Sequence, residues 1–127
     1  MKYLCIGYFN QEKMESLPQA EIETLMSQCQ PHLENLYSSG QVIMDVGTDS
    51  EVKSLQRVGG SVQVINSPFT TTKEVVGSVF IIEADAIEEA IRIASSHPTT
   101  KIEVGEHLGW RIDIRPIHYF KMFDQKD

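Results

Sequence analysis

The stretch from Gly77 to Pro98, GSVFIIEADAIEEAIRIASSHP, changes its hydrophobic period half-way along, and that change decides the fold. Gly77 to Glu83 reads as a strand whose two faces, Val79/Ile81 and Phe80/Ile82, are both apolar, as in a strand covered on both sides. From Asp85 onward the period becomes helical. Asp85 is placed to cap the helix, with Glu88 three residues later as its capping-box partner, and Ile87, Ala90, Ile91 and Ala94 form the stripe expected to be buried. His97-Pro98 ends it, because a residue before proline avoids the helical region. The chain then returns as a strand over Trp110 to Ile117, alternating Trp110/Ile112/Ile114 with Arg111/Asp113/Arg115.

The upstream half repeats this order. Lys2 to Phe9 is a strand with two apolar faces, Tyr3/Cys5/Phe9 and Leu4/Ile6/Tyr8. Pro18 opens a helix whose stripe is Ile22, Leu25, Met26, Cys29, Leu33, Leu36 and Tyr37, and Gly40 stops it. Pro31 lacks a backbone donor, so a bend or break is expected between Ser27 and Pro31. QVIMDV, Gln41 to Val46, is a short strand. EVKSLQRVGGSVQVIN, Glu51 to Asn66, is a hairpin turning at Gly59-Gly60.

Two strand-helix-strand halves with a hairpin inserted over about residues 52–66 predict an α+β, ferredoxin-like βαββαβ sheet with both helices on one face. One domain over residues 1–127 is expected. The second sheet face is partly apolar, and a two-fold homodimer closing two such sheets into a dimeric α+β barrel would cover it. The tail from residue 117 onward carries Tyr119, Phe120, Met122 and Phe123 and is expected to pack on the partner subunit.

Composition narrows the function classes. With 41% apolar and 23% charged residues, the chain reads as an ordinary soluble protein of cytoplasmic type. No apolar run reaches the about 18 residues needed to span a bilayer. The opening MKYLCIGYF is too short and interrupted for a signal peptide. A net charge of -7 argues against nucleic acid and anionic membrane as partners, since those affinities come from neutralised phosphates. Cys5 and Cys29 sit in apolar patterns and are expected to be buried free thiols. His97, His107 and His118 show no spacing for a shared metal, and no Gly-rich phosphate loop or nucleophile elbow occurs, so neither metal nor cofactor is expected.

The segment INSPFTTTKEVVGSVFII, Ile65 to Ile82, resembles the signature of the DGPF-domain branch of the YCII-related proteins, through Pro68, Phe69, Thr72, Lys73, Glu74 and Gly77. KYLCIGYF, PHLENLYSSG and IDIRPI add weaker echoes along the chain. The family's Asp-Gly pair is Asn66-Ser67 here, and its first glutamate is Thr71. The resemblance implies a dimeric α+β barrel and no particular activity. It also singles out His32, since a histidine at this place on the first helix is proposed as an active-site residue in the YCII branch.

His32 is therefore the candidate proton-transfer residue, with Asp45 on the next strand as its orienting carboxylate. Against this stands a histidine that merely packs beside Pro31. Ser67, Thr70, Thr72 and Lys73 are candidate donors to a small, anionic ligand, with Arg115 and its neighbour Arg111 as counter-charges. Equally, Pro68 and Phe69 set a turn and a core contact there, and Lys73-Glu74 is a solvated pair contributing under about 1 kcal/mol. Three functions compete: a small enzyme acting on a compact organic acid through His32, a dimeric ligand-binding or regulatory module without turnover, and a scaffold whose tail binds a partner.

Overall fold

The computed structural model describes residues 1–66 and 73–123. Its backbone is a four-stranded antiparallel sheet in the order β2-β5-β1-β6, with β1 at Lys2–Asn10, β2 at Val42–Gly47, β5 at Glu74–Glu83 and β6 at Arg111–Pro116. This is the order that two strand-helix-strand halves produce when each helix crosses the same face, so the ferredoxin-like α+β reading holds. The strands β3 (Ser54–Val58) and β4 (Ser61–Ile65) interrupt the path from β2 to β5 as a separate two-stranded sheet. Gly59 and Gly60 take φ values of 60° and 86°, the left-handed pair that a two-residue turn between twisted strands requires.

Helix α1 (Gln11–Glu15) follows β1 and is capped by the Asn10 side chain, which accepts from the Lys13 amide at 3.0 Å. Helix α2 (Gln19–Tyr37) links β1 to β2, while α3 (Ile87–Ala94) and the short α4 (Pro98–Lys101) link β5 to β6. The core joins Tyr3 and Cys5 of β1, Phe80 and Ile82 of β5, Leu36 of α2, and Ala90, Ile93 and Ala94 of α3. Phe80 and Ile82 are wholly enclosed, and each such side chain contributes about 2 kcal/mol by leaving water.

Four expectations need correction. Helix α2 runs unbroken through Pro31: Pro31 and Ser27 are both exposed, so water can serve the Ser27 carbonyl that loses its helical donor. Ala86, not Asp85, is the N-cap of α3, and it offers no side-chain cap. The buried side of α3 is Ala90, Ile93 and Ala94, leaving Ile87 and Ile91 exposed. A helix with five small or branched apolar residues has an apolar arc wider than its contact, so the wheel alone does not say which edge turns inward. Cys29 is only half-buried, whereas Cys5 is enclosed.

Two irregularities in the sheet shape its helix-covered face. Opposite residues in an antiparallel ladder share a face, and β1 presents Tyr3, Cys5 and Gly7 to the helices with Ile82, Phe80 and Ser78 as their partners. Between Gly7 and Tyr8 the register slips so that Gly77 is the extra residue. Between Val42 and Met44 it slips again, with Ile43 as the extra residue of β2. Beyond that slip Asp45 lies opposite Phe80, on the helix side, and Met44 and Val46 lie opposite Ile81 and Val79, on the other. Regular alternation from Val42 would have sent Asp45 to the far face.

Candidate active site

The slips place a cleft of about 490 Å³ between the sheet and helix α2. Gly7, Gly47, Gly77 and Ser78 form its floor, and Met26, Cys29 and Leu33 of α2 face them. Phe9, Met14 and Trp110 add apolar lining, and Asp45, His97 and Thr99 supply its polar groups together with Ser78. The floor is tight. A Cβ on Gly7 would overlap the Ser78 hydroxyl, and one on Gly77 would come within 2.8 Å of the Phe9 ring. Glycine at both positions lets the Ser78 hydroxyl and the Phe9 ring sit directly on the backbone.

His97 is the most constrained polar side chain in this cleft. It is 6% exposed, and its ring stacks on Phe80 with centroids 4.8 Å apart and planes 4° from parallel. Its Nδ1 accepts the Thr99 backbone N–H at 3.1 Å and lies 2.7 Å from Thr99 Oγ1. A nitrogen that accepts an amide proton carries none itself, so the ring proton belongs on Nε2. Among the described residues no occluded side-chain nitrogen or oxygen lacks a partner, and Nε2 bonds to none, so this N–H opens on accessible space. Burial pushes the imidazole down from 6.5 to about 4, against a smaller opposing pull from the Asp45 charge, and His97 is neutral at neutral pH.

Asp45 is held from the α2 side. The Tyr37 hydroxyl donates a short hydrogen bond to its Oδ2. That bond, followed by burial and the Asp45 charge, pushes the Tyr37 phenol up to about 12, which keeps it a proton donor. The Cys29 thiol is pushed up by burial and is a poor nucleophile.

The other candidates lie elsewhere. His32 is half-buried on α2 but does not line the cleft, so the structure does not bring it and Asp45 to a common cavity. Ser67, Thr70 and Thr72 lie outside the described residues. Lys73 is exposed and pairs with Glu12 at 3.1 Å. Arg115 is exposed opposite Leu4, on the face away from the helices. Arg111 does find the partners a guanidinium there requires: Glu74 holds it through Nε at 2.6 Å and Nη2 at 3.0 Å, and Asp113 through Nη1 at 2.6 Å. It also lies 4.2 Å from the Tyr8 ring centroid, and it holds the Glu74 carboxyl below its usual range. Among the described residues no group of three or more metal-ligating side chains occurs.

Sequence reasoning missed His97, Tyr37 and Ser78. His97-Pro98 reads as a stop signal, but His97 is also the N-cap of α4, with its ring accepting from Thr99. The spacing His-Pro-Thr carried that hint.

The YCII-related domain model matches residues 1–109. The chain belongs to this family. Among solved structures, the YCII-related chain is similar to the 5-chloro-2-hydroxyhydroquinone dehydrochlorinase of Burkholderia phenoliruptrix AC1100, in complex with 2,5-dihydroxybenzoquinone. The likeness has a TM-score of 0.50 at 18% identity and covers 94% of this chain and 96% of that one, a likeness of fold. A comparison with curated proteins finds no match. Among the described residues no helix is long and apolar enough to cross a membrane.

Proposed function

We propose that this YCII-related protein is a small-molecule enzyme that moves protons on a compact substrate held in the α2 cleft. Asp45 serves as the base, and the Nε2–H of neutral His97 serves as the donor that stabilises the developing oxygen charge. The observation that carries this reading is the locked His97 tautomer. With Nδ1 occupied by Thr99, Nε2 is the ring nitrogen left to donate, and His97 is one of the residues lining the cleft. A neutral imidazole N–H donates without first having to be charged, and a carboxylate beside it takes the proton that the polarised substrate releases. Tyr37 steadies Asp45 in this scheme. The complex of the dehydrochlorinase with a dihydroxybenzoquinone supports a compact ring as the kind of ligand this fold accommodates.

His32 is the competing proton-transfer residue, and the cleft wall favours His97 because His32 has no place in it. Deuterium uptake by an enolisable cyclic diketone, followed by proton NMR, discriminates between them. Asp45→Asn is expected to slow catalysed exchange by about a hundredfold or more, and His97→Gln by at least about tenfold, while His32→Ala stays near wild type. Exchange that survives Asp45→Asn and disappears with His32→Ala would overturn the assignment.

A second reading, a ligand-binding module without turnover, keeps the same cleft. It is distinguished by probe binding with no catalysed exchange in the wild type. In either case the helix-free sheet face supports a homodimer, because Met44 and Val46 are exposed there and Leu4 and Ile6 are only half-buried. Membership of the DGPF branch rests on Lys73, Glu74 and Gly77 together with Pro68, Phe69 and Thr72, the last three outside the described residues.

A further inference from the structure

The cleft has an unusual charge inventory. Among the described residues that line it, Asp45 is the one charged side chain, and no lysine or arginine is present. Of the cations near it in sequence, Lys73 pairs with Glu12 and Arg111 with Glu74 and Asp113, while Lys13 and Lys101 flank lining residues without lining the cleft themselves. Residues 67–72, Ser-Pro-Phe-Thr-Thr-Thr, contain no charged side chain at all. His97 cannot serve as a ready counter-charge, since its enclosure on Phe80 disfavours the imidazolium.

From this inventory, and resting on the cleft proposed above, we infer that the site selects uncharged, hydroxyl-bearing ring compounds and rejects carboxylates. A neutral ring with a hydroxyl can donate to Asp45 and accept from His97 Nε2–H, while its faces lie against Met26 and Leu33. A carboxylate of the same size would bring a second negative charge to Asp45, which is itself solvent-exposed, with no lysine or arginine among the described lining residues to offset it. It would also lose its water shell against apolar walls. The chain's net charge of -7 adds to the repulsion at a distance. This selection differs from the expectation of an anion held by Arg115 and the threonine loop, and neither Arg115 nor Lys73 lines the cleft.

The test compares two probes of equal ring size, resorcinol and benzoate, titrated into the whole protein at neutral pH. Calorimetry gives affinity, and the indole N–H signal of Trp110 gives location, since Trp110 is the chain's single tryptophan and lines the cleft. Resorcinol is expected to bind at least about tenfold more tightly than benzoate, a difference of about 1.4 kcal/mol. In Asp45→Asn the gap should narrow, chiefly because benzoate improves. Benzoate that binds as well as resorcinol while moving the Trp110 signal overturns the charge selection and leaves the cleft standing as a binding site. Neither probe moving that signal overturns the cleft reading and the selection together. The wild-type comparison decides the matter even if Asp45→Asn does not fold.

Discussion

At the scale of single residues, two protons report on the site. The Tyr37 phenol is raised from 10.0 to about 12, first by its hydrogen bond to Asp45. Removing the acceptor charge with Asp45→Asn is expected to bring it back towards its ordinary range, read from the carbon-13 shift of labelled tyrosine across alkaline pH. An unchanged titration would mean that the two side chains do not meet in solution. His97 gives the second signal. Its folded value is about 4 and its ordinary value 6.5, so the unfolded chain holds a proton there that the folded chain refuses. Stability from this group is therefore complete above pH 6.5 and is lost as pH falls from 6.5 towards 4, by roughly 3 kcal/mol at full extent. Urea unfolding of His97→Gln should show a flatter pH dependence through that window than the wild type. Neither behaviour was legible in the sequence, where His97 reads as a loop residue before a proline and Tyr37 as part of an apolar stripe.

At the scale of elements, the sheet's irregularities matter more than its regular pairs. Gly7 lies under Ser78, and Gly7→Ala forces a methyl group into the space of the Ser78 hydroxyl. A loss of about 1 to 3 kcal/mol is expected, the usual effect of overpacking, together with weaker binding of any cleft ligand. A variant as stable as wild type would show that β1 and β5 are looser at the slip than the ladder indicates. The hairpin was legible because Gly59-Gly60 is a local signal that needs no distant partner. The cap of α3 was not legible in the same way. A capping-box spacing at Asp85 and Glu88 states only that a cap is available, and the chain's entry from β5 starts the helix at Ile87 with Ala86 before it.

At the scale of the whole molecule, the helices cover one side of the sheet and leave the other with Leu4, Ile6, Met44 and Val46 partly or wholly exposed, next to Arg115. The segment from Ile117 to Phe120 lies near that side. Ile117 N–H bonds the Lys2 carbonyl at 2.9 Å, the Lys2 ammonium lies 5.2 Å from the Phe120 ring centroid, and Tyr119, Met122 and Phe123 remain exposed. Light scattering is expected to give about twice the 14.4 kDa chain mass, and Met44→Lys, a charge on the uncovered face, is expected to shift it towards the monomer. A monomer at micromolar concentration would remove the proposed barrel while leaving the cleft, which a single chain forms, in place.

The sequence by itself determined the order of the strands and of the two crossover helices, the hairpin and the ferredoxin-like sheet, but not the short helices α1 and α4. Those features come from local periodicity, turn residues and the few ways two strand-helix-strand units can pair. Only the tertiary structure decided which side chains share the cleft. A one-residue slip at Ile43 turns Asp45 to the helix side and Met44 and Val46 away from it. The ring of His97 reaches the site because Phe80, far from it in sequence, offers a surface to stack on. A period-2 pattern cannot announce where it will skip a residue, and a histidine's tautomer is set by the amide that happens to face it.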